Sequence, residues 1–151
     1  MRNVRLNLKA IEDSLRDVQR FARLLNVPFK IPSVFPMPSV APGRAFYWLA
    51  DRDPAQAKEF AKAVFRAYFV ENLDISKPET TVEVGARLGI KRDEMTDALN
   101  ASAVKERLKT EVDAAIKKGV FGSPFIVIDG EPFWGADRLN QAERWLETGG
   151  W

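Results

Sequence analysis

The stretch that decides the fold lies near the C-terminus and runs Val120-Phe-Gly-Ser-Pro-Phe-Ile-Val-Ile-Asp-Gly-Glu-Pro-Phe-Trp-Gly-Ala-Asp-Arg-Leu-Asn-Gln-Ala-Glu-Arg-Trp-Leu146. Phe125–Ile128 is a short apolar run of the kind that forms a strand. Asp129-Gly130 is the strongest two-residue hairpin signal, and Glu131–Trp134 supplies the returning strand. Pro132 restricts that second strand to the edge of a sheet. The stretch therefore predicts a β-hairpin followed by a final helix.

Upstream of this stretch the sequence has helical patterns. An amphipathic helix is predicted up to Leu25, because apolar residues recur every three or four positions and Asn26-Val27-Pro28 then stops it. Further helices are predicted over residues 44–50, 54–69, 78–88, 92–100 and 102–118. Asp53-Pro54 predicts the start of the second of these, with Asp as the N-cap and Pro at the first helical position. The chain thus divides into a mainly helical region, residues 1–119, and a hairpin with a helix, residues 120–151.

The hairpin presents a physical problem. A continuous apolar strand such as Phe125–Ile128 is typical of the centre of a sheet, and an isolated two-stranded hairpin is marginally stable in water. Residues 1–119 show no strand pattern that could pair with it. Either the hairpin packs only on helices, or the other strands of its sheet come from elsewhere. We favour the second explanation and expect the larger part of a domain whose first strands are missing.

Composition excludes several kinds of chemistry. The 151 residues contain neither Cys nor His, which excludes a thiol nucleophile, a redox CxxC motif, a Ser-His-Asp triad and Cys- or His-ligated metals. The 23 basic and 21 acidic residues are interleaved, unlike the basic stripe of a nucleic-acid binder. No apolar run approaches the roughly 20 residues of a membrane span, and no secretory signal follows Met1. We expect a cytoplasmic protein with no metal, membrane or nucleic-acid partner.

Residues 120–146 resemble the C-terminal end of the 2-hydroxychromene-2-carboxylate isomerases, relatives of the kappa-class glutathione transferases in the thioredoxin-like superfamily. Residues 17–29, 44–48 and 63–69 are similar to the helical region of that family. The resemblance implies an α/β thioredoxin-like fold with a large helical insertion, mostly helical in this chain, with the first strands missing. It also implies a glutathione-dependent isomerase in which the glutathione thiolate adds reversibly to a conjugated aromatic carboxylate, with no need for Cys or His.

The same resemblance implies a glutathione site. Ser123-Pro124 corresponds to a cis-proline loop, whose backbone pairs with the cysteinyl backbone of glutathione. The residues alone favour a trans proline at a strand start, since only ~5% of X-Pro bonds are cis. Asp137, together with Ala136, is implied to hold the γ-glutamyl end. A plain helix N-cap is the alternative for Asp137, and the two roles are compatible.

The catalytic residue is unknown. In the family, a serine that activates glutathione lies in a strand-helix-strand unit before this point, and this sequence lacks that unit. For the substrate, Tyr47 and Trp134 are predicted to lie partly exposed in a pocket, and Ser39 is a candidate contact. Three arginines recur on one face of the first helix: Arg16, Arg20 and Arg23. They either steer an anionic substrate or form a solvated face, and charge runs favour the second interpretation.

Three accounts of the chain stay open. It is a full enzyme whose start lies further upstream, or a complete but inactive relative that keeps half a site for glutathione or a carboxylate. Alternatively, it is a structural module whose exposed strand edge is covered by a second copy or another protein. We expect a homodimer, because an open strand edge favours association.

Overall fold

The computed structural model describes the backbone of residues 2–151 and the side chains of residues 12–151. The bounds of its elements are α1 (Arg2–Leu24), α2 (Val40–Ala50), α3 (Pro54–Phe69), α4 (Pro78–Arg87), α5 (Arg92–Asn100), α6 (Ser102–Lys117), β1 (Phe125–Ile128), β2 (Glu131–Trp134), a 3₁₀ turn (Ala136–Arg138) and α7 (Leu139–Thr148). The chain divides into two compact units, here named the helical unit, up to Leu108, and the hairpin unit, Lys109–Trp151. The boundary expected between the helical region, residues 1–119, and the hairpin region, residues 120–151, stays a prediction.

The first helix ends where the sequence predicts. α1 stops at Leu24, and the apolar positions Leu8 and Ile11 lie outside the described side chains. Further along the helix, Arg20 Nη2 lies 2.5 Å from Asp17 Oδ1, and both side chains are exposed. An exposed ion pair of this kind is typical of a solvated face and supports that interpretation of the arginines.

The starts of α3 and α2 show how local sequence sets helix ends. The Asp53 carboxylate accepts hydrogen bonds from two backbone N–H groups of the first turn of α3, at 3.0 and 3.1 Å, and Pro54 begins the helix. This is the predicted N-cap arrangement. α2 begins at Val40, earlier than the predicted residue 44. Pro42 does not delay the start, because its missing N–H falls in the first turn, where no helical partner is needed.

The helical unit has a closed apolar core. Phe60 on α3 and Met95 on α5 are both fully buried. A Cβ added at Gly85 would lie 2.7 Å from the Met95 sulfur, so glycine lets α4 approach α5. The Tyr68 hydroxyl donates a hydrogen bond to the Val34 carbonyl at 2.9 Å, which holds the proline-rich segment before α2.

The hairpin unit contains the predicted strands and turn. β1 and β2 are antiparallel, with Phe125 opposite Trp134. The turn residues Asp129 and Gly130 have φ values of 52° and 88°, as the tight hairpin turn requires. Phe133 of β2 is buried and its ring lies edge-on to a tryptophan of α7, Trp145, with centroids 5.8 Å apart.

Burial in the hairpin unit differs from expectation. β1 was expected to be buried on both faces, but Val127 is exposed. Apolar side chains of α6 and α7 are exposed as well, at Val112, Ile116 and Leu146. Apolar periodicity identifies which face of an element is hydrophobic, whereas burial also requires neighbouring elements to cover it.

None of the helices within residues 2–151 is both long enough and apolar enough to cross a membrane.

Candidate functional site

The loop before β1 has the geometry expected of a cis-proline loop. The Ser123–Pro124 peptide bond is cis, which confirms that prediction. Ser123 is exposed, and neither its backbone N–H nor its backbone carbonyl has a hydrogen-bond partner among the described residues. The Pro124 carbonyl accepts a hydrogen bond from the Gly135 N–H at 3.0 Å, which ties the loop to the end of β2. The loop therefore presents one unpaired donor and one unpaired acceptor at the surface.

Asp137 lies beyond β2, inside the 3₁₀ turn that precedes α7. Its carboxylate is 62% exposed, and Oδ2 accepts a hydrogen bond from Arg138 Nη1 at 2.9 Å. The N-cap interpretation of Asp137 is wrong, since the cap residue of α7 is Arg138 and the capping residue of the turn itself is Gly135. The intervening turn shifts the helix start, so the Asp137 carboxylate pairs with a neighbouring cation instead of helix amides.

Gly135 determines where the Asp137 carboxylate can lie. Its φ of 108° and ψ of 150° belong to a region that is essentially reserved for glycine. A Cβ at this position would overlap Asp137 Oδ1. Ala136, between them, is half-buried and offers only its backbone groups for hydrogen bonding. Glycine at position 135 thus allows the carboxylate to fold back over the strand end.

An exposed aromatic cluster adjoins the loop. Trp134 is 56% exposed and Phe121 is 70% exposed. The Phe121 ring lies edge-on to Trp134 and to Phe125, with centroid distances of 4.9 and 5.2 Å. A Cβ added at Gly122 would lie 2.9 Å from Trp134 Cδ1, so glycine makes room for the indole. The exposure of Trp134 agrees with expectation, and its contact with substrate stays a prediction.

The two remaining candidates belong to the helical unit. Ser39 is exposed at the start of α2, and its carbonyl accepts a hydrogen bond from the Gly43 N–H at 3.0 Å. Tyr47 is half-buried on α2, and the Arg107 guanidinium lies over its ring at 5.1 Å. The structure thus brings Ser123, Pro124, Trp134, Ala136 and Asp137 into one compact unit, and Ser39 and Tyr47 into the other. The roles of all seven residues stay predictions.

Sequence reasoning missed four contributors to this surface: Phe121, Gly122, Gly135 and Arg138. Gly122, Gly135 and Arg138 each lie next to a predicted residue in the chain, and Phe121 lies two positions before Ser123. The glycines carried a usable signal, because a glycine beside a candidate binding residue often marks close approach of another group. For metals, no cluster of three or more possible ligating side chains occurs in the described part of the chain.

Known proteins are similar to this chain in sequence. The chain is 31% identical over 138 residues to a 2-hydroxychromene-2-carboxylate isomerase of Pseudomonas putida, covering 91% of this chain and 66% of that protein. It is 25% identical over 143 residues to glutathione S-transferase kappa 2 of Caenorhabditis elegans, covering 87% and 64% respectively. The chain therefore spans just under two thirds of the length of these relatives.

The fold comparison gives a solved structure of a protein with the same name. A solved structure of a 2-hydroxychromene-2-carboxylate isomerase superposes with a TM-score of 0.81 at 30% identity, covering 93% of this chain and 68% of that one. The predicted fold class is confirmed: a thioredoxin-like fold, mostly helical, with a small two-stranded sheet near the C-terminus. Since the family match extends over residues 2–147, the chain belongs to the DSBA-like thioredoxin domain family.

Proposed function

We propose that this chain acts in a glutathione-dependent isomerase of the 2-hydroxychromene-2-carboxylate isomerase type. The observation that carries the proposal is the exposed residue Ser123, whose backbone N–H and carbonyl are unpaired among the described residues and which lies in the same compact unit as the exposed Asp137 carboxylate. The names of the relatives, a 2-hydroxychromene-2-carboxylate isomerase and a kappa-class glutathione transferase, support it. The proposed location is cytoplasmic, and the proposed assembly is a homodimer.

The hairpin unit has groups that match two parts of glutathione, its cysteinyl backbone and its γ-glutamyl end. The Ser123 N–H and carbonyl would pair with the cysteinyl backbone of the tripeptide, as a short added strand. The γ-glutamyl end carries an ammonium and a carboxylate, and the neighbouring Asp137 and Arg138 side chains carry the opposite charges. Ala136 would contribute backbone hydrogen bonds. Charge-assisted bonds of this kind are the stronger class of hydrogen bond, so Asp137 should contribute much of the affinity.

Glutathione, when bound, supplies the thiolate that adds to and leaves a conjugated double bond of the substrate. The chain's own proposed contribution is positioning, since holding two reactants in a productive geometry lowers the barrier substantially. Trp134 and Phe121 would offer aromatic faces to a conjugated aromatic carboxylate. No described residue is assigned to activating the thiol.

The test is the affinity for reduced glutathione of Asp137→Asn, measured by isothermal titration calorimetry. We expect affinity to fall well over threefold, because the amide has lost the charge that attracts the ammonium. Asp129→Asn is the matched control: it makes the same substitution in the hairpin turn of the same unit, where Asn also tolerates the positive φ of 52°. Unchanged affinity in Asp137→Asn with an intact circular dichroism spectrum would refute the assignment.

A second candidate function is that of an inactive relative, which binds ligand weakly or associates with itself. It is favoured by the exposed apolar side chains of the hairpin unit, among them Ile116, Phe121 and Leu146. Turnover of 2-hydroxychromene-2-carboxylate, followed by absorbance with glutathione present, separates the candidates. An enzyme binds glutathione and turns over the substrate, whereas a half-site binds glutathione weakly and turns over no substrate. A structural module shows neither binding nor turnover and associates tightly with itself. A stable monomer in light scattering would count against the proposed homodimer.

A further inference from the structure

A cavity of about 330 Å³ lies within the helical unit, between α2, α4 and α5. None of the candidate residues discussed above lines it. We propose that this cavity binds a small organic monocarboxylate with an apolar body. The proposal is independent of glutathione binding, because its residues all belong to the helical unit.

The cation in this cavity is Arg44 of α2. A guanidinium has five N–H donors, yet the hydrogen bond found for Arg44 is a long one, from Nη1 to the Leu99 carbonyl at 3.5 Å. Its Nε is buried and has no hydrogen-bond partner among the described residues. No carboxylate among the described residues lies within ion-pair distance of Arg44. A positive charge is therefore held at the cavity wall with most of its hydrogen-bonding capacity unused.

The other charged groups limit the charge of the ligand. Arg92 also lines the cavity, but its Nη1 lies 2.6 Å from Glu83 Oε2, so that charge is already neutralised. Glu79, in the first turn of α4, is the one carboxylate among the lining residues given by the structure. The charges of Arg44 and Glu79 sum to zero, yet the two side chains form no ion pair, so the Arg44 guanidinium can take one carboxylate and the wall has no surplus cation for a second negative charge. A dianion such as phosphate would be repelled by Glu79.

The rest of the wall favours an apolar body on the ligand. Ala41, Val82 and Leu99 contribute hydrocarbon surface from three different helices. The volume lies at the small end of the range for small-molecule sites, which are mostly apolar with a few placed polar groups. A bidentate carboxylate matches the planar fork of an arginine side chain. A benzoate-sized acid meets each of these conditions.

The experiment is a titration of the ¹⁵N-labelled chain with benzoate, followed by amide NMR shifts, with benzamide as the uncharged probe of the same shape. We expect benzoate to shift the amides of Ala41, Val82 and Leu99, and benzamide to bind at least about fivefold more weakly because it lacks the charge. Arg44→Gln should weaken benzoate binding about tenfold or more. The control Arg87→Gln removes a cation of α4 that pairs with Glu71 at 2.8 Å, and should leave benzoate affinity unchanged.

Two further measurements decide the proposal even if Arg44→Gln fails to fold. Glu79→Gln, an exposed substitution, should tighten benzoate binding by about twofold, because a repelling charge is removed. Inorganic phosphate should bind the wild-type chain more weakly than benzoate. Equal binding of benzoate and benzamide, equal or tighter binding of phosphate, or shifts confined to residues 109–151 would each overturn the proposal. Asp137→Asn should leave benzoate affinity unchanged, so this site and the glutathione site can fail separately.

Discussion

The buried core of the helical unit and the exposed aromatic cluster of the hairpin unit hold aromatic rings in opposite surroundings. In the helical unit, Phe60 is 0% exposed and sits among the buried side chains of the core. In the hairpin unit, Phe121 and Trp134 are mostly exposed and contact each other beside the cis-proline loop. Buried aromatic rings stabilise a fold, whereas exposed contiguous ones mark surfaces for ligands or partners. Phe60 is therefore expected to contribute to stability, and Phe121 and Trp134 are expected to form a surface for recognition.

The strongest way to break this comparison is to remove rings of equal size from buried and exposed positions of one helix. Phe60→Ala on α3 should reduce the free energy of unfolding by about 3–5 kcal/mol, through lost burial and the cavity left behind. Phe65→Ala, on the same helix but 62% exposed in wild type and stacked on Phe69 at 6.2 Å, should cost about 1 kcal/mol. Urea unfolding of both variants measures the difference. Equal losses would show that burial does not decide stability in this unit.

An intermediate loss of stability is expected in the hairpin unit. Gly135→Ala should destabilise the strand ends by about 1–3 kcal/mol, because alanine does not tolerate this backbone region. It should also weaken glutathione binding, since the new Cβ displaces the Asp137 carboxylate. Hydrogen exchange of the β1 and β2 amides measures the first effect and calorimetry the second.

Gly119→Ala is the matched control for that experiment. Gly119 also has a positive φ, 73°, but a Cβ there would meet open space. Its substitution carries the backbone cost alone and should leave glutathione affinity unchanged. If both glycine variants weakened binding equally, the role given to the Asp137 carboxylate would be lost.

Much of the local structure was predictable because its signals are local. The hairpin turn at Asp129-Gly130 and the cap at Asp53 depend on residues within a few positions of each other, and both predictions are confirmed. Exposure of Val127 and Ile116 was not predictable, because it depends on what packs against them in space. The capping role of Asp137 failed for a similar reason, since a 3₁₀ turn between strand and helix leaves no mark in the hydrophobic pattern.

The candidate site was partly predictable through its motif. Ser123-Pro124 was identified by resemblance to a family and has the expected cis bond. Phe121 was missed, because an aromatic residue in a sequence is ordinarily expected in a core. The role of Gly135 was missed as well, since it rests on a dihedral angle and on one contact with Asp137. Arg44 was identified only as part of a family block, because its lack of a partner is visible only once three helices surround it.

The smallest expected effect concerns surface charge in the helical unit. Arg92 donates a side-chain hydrogen bond to Glu83 and, with Arg87, lowers the pKa of that carboxyl below its ordinary value of 4.5. The folded-state pKa is the lower one, so the pair stabilises the fold above pH 4.5 and loses this contribution as the pH falls through the folded-state pKa. Glu83→Gln should therefore lower the Tm slightly at neutral pH, and the difference from wild type should shrink in acid. Glu147→Gln is the control: Glu147 forms no ion pair among the described residues, so this variant should show no such trend. A Tm difference for Glu83→Gln that stayed constant from neutral pH into acid would mean that the ion pair makes no contribution to stability, since exposed pairs often contribute very little.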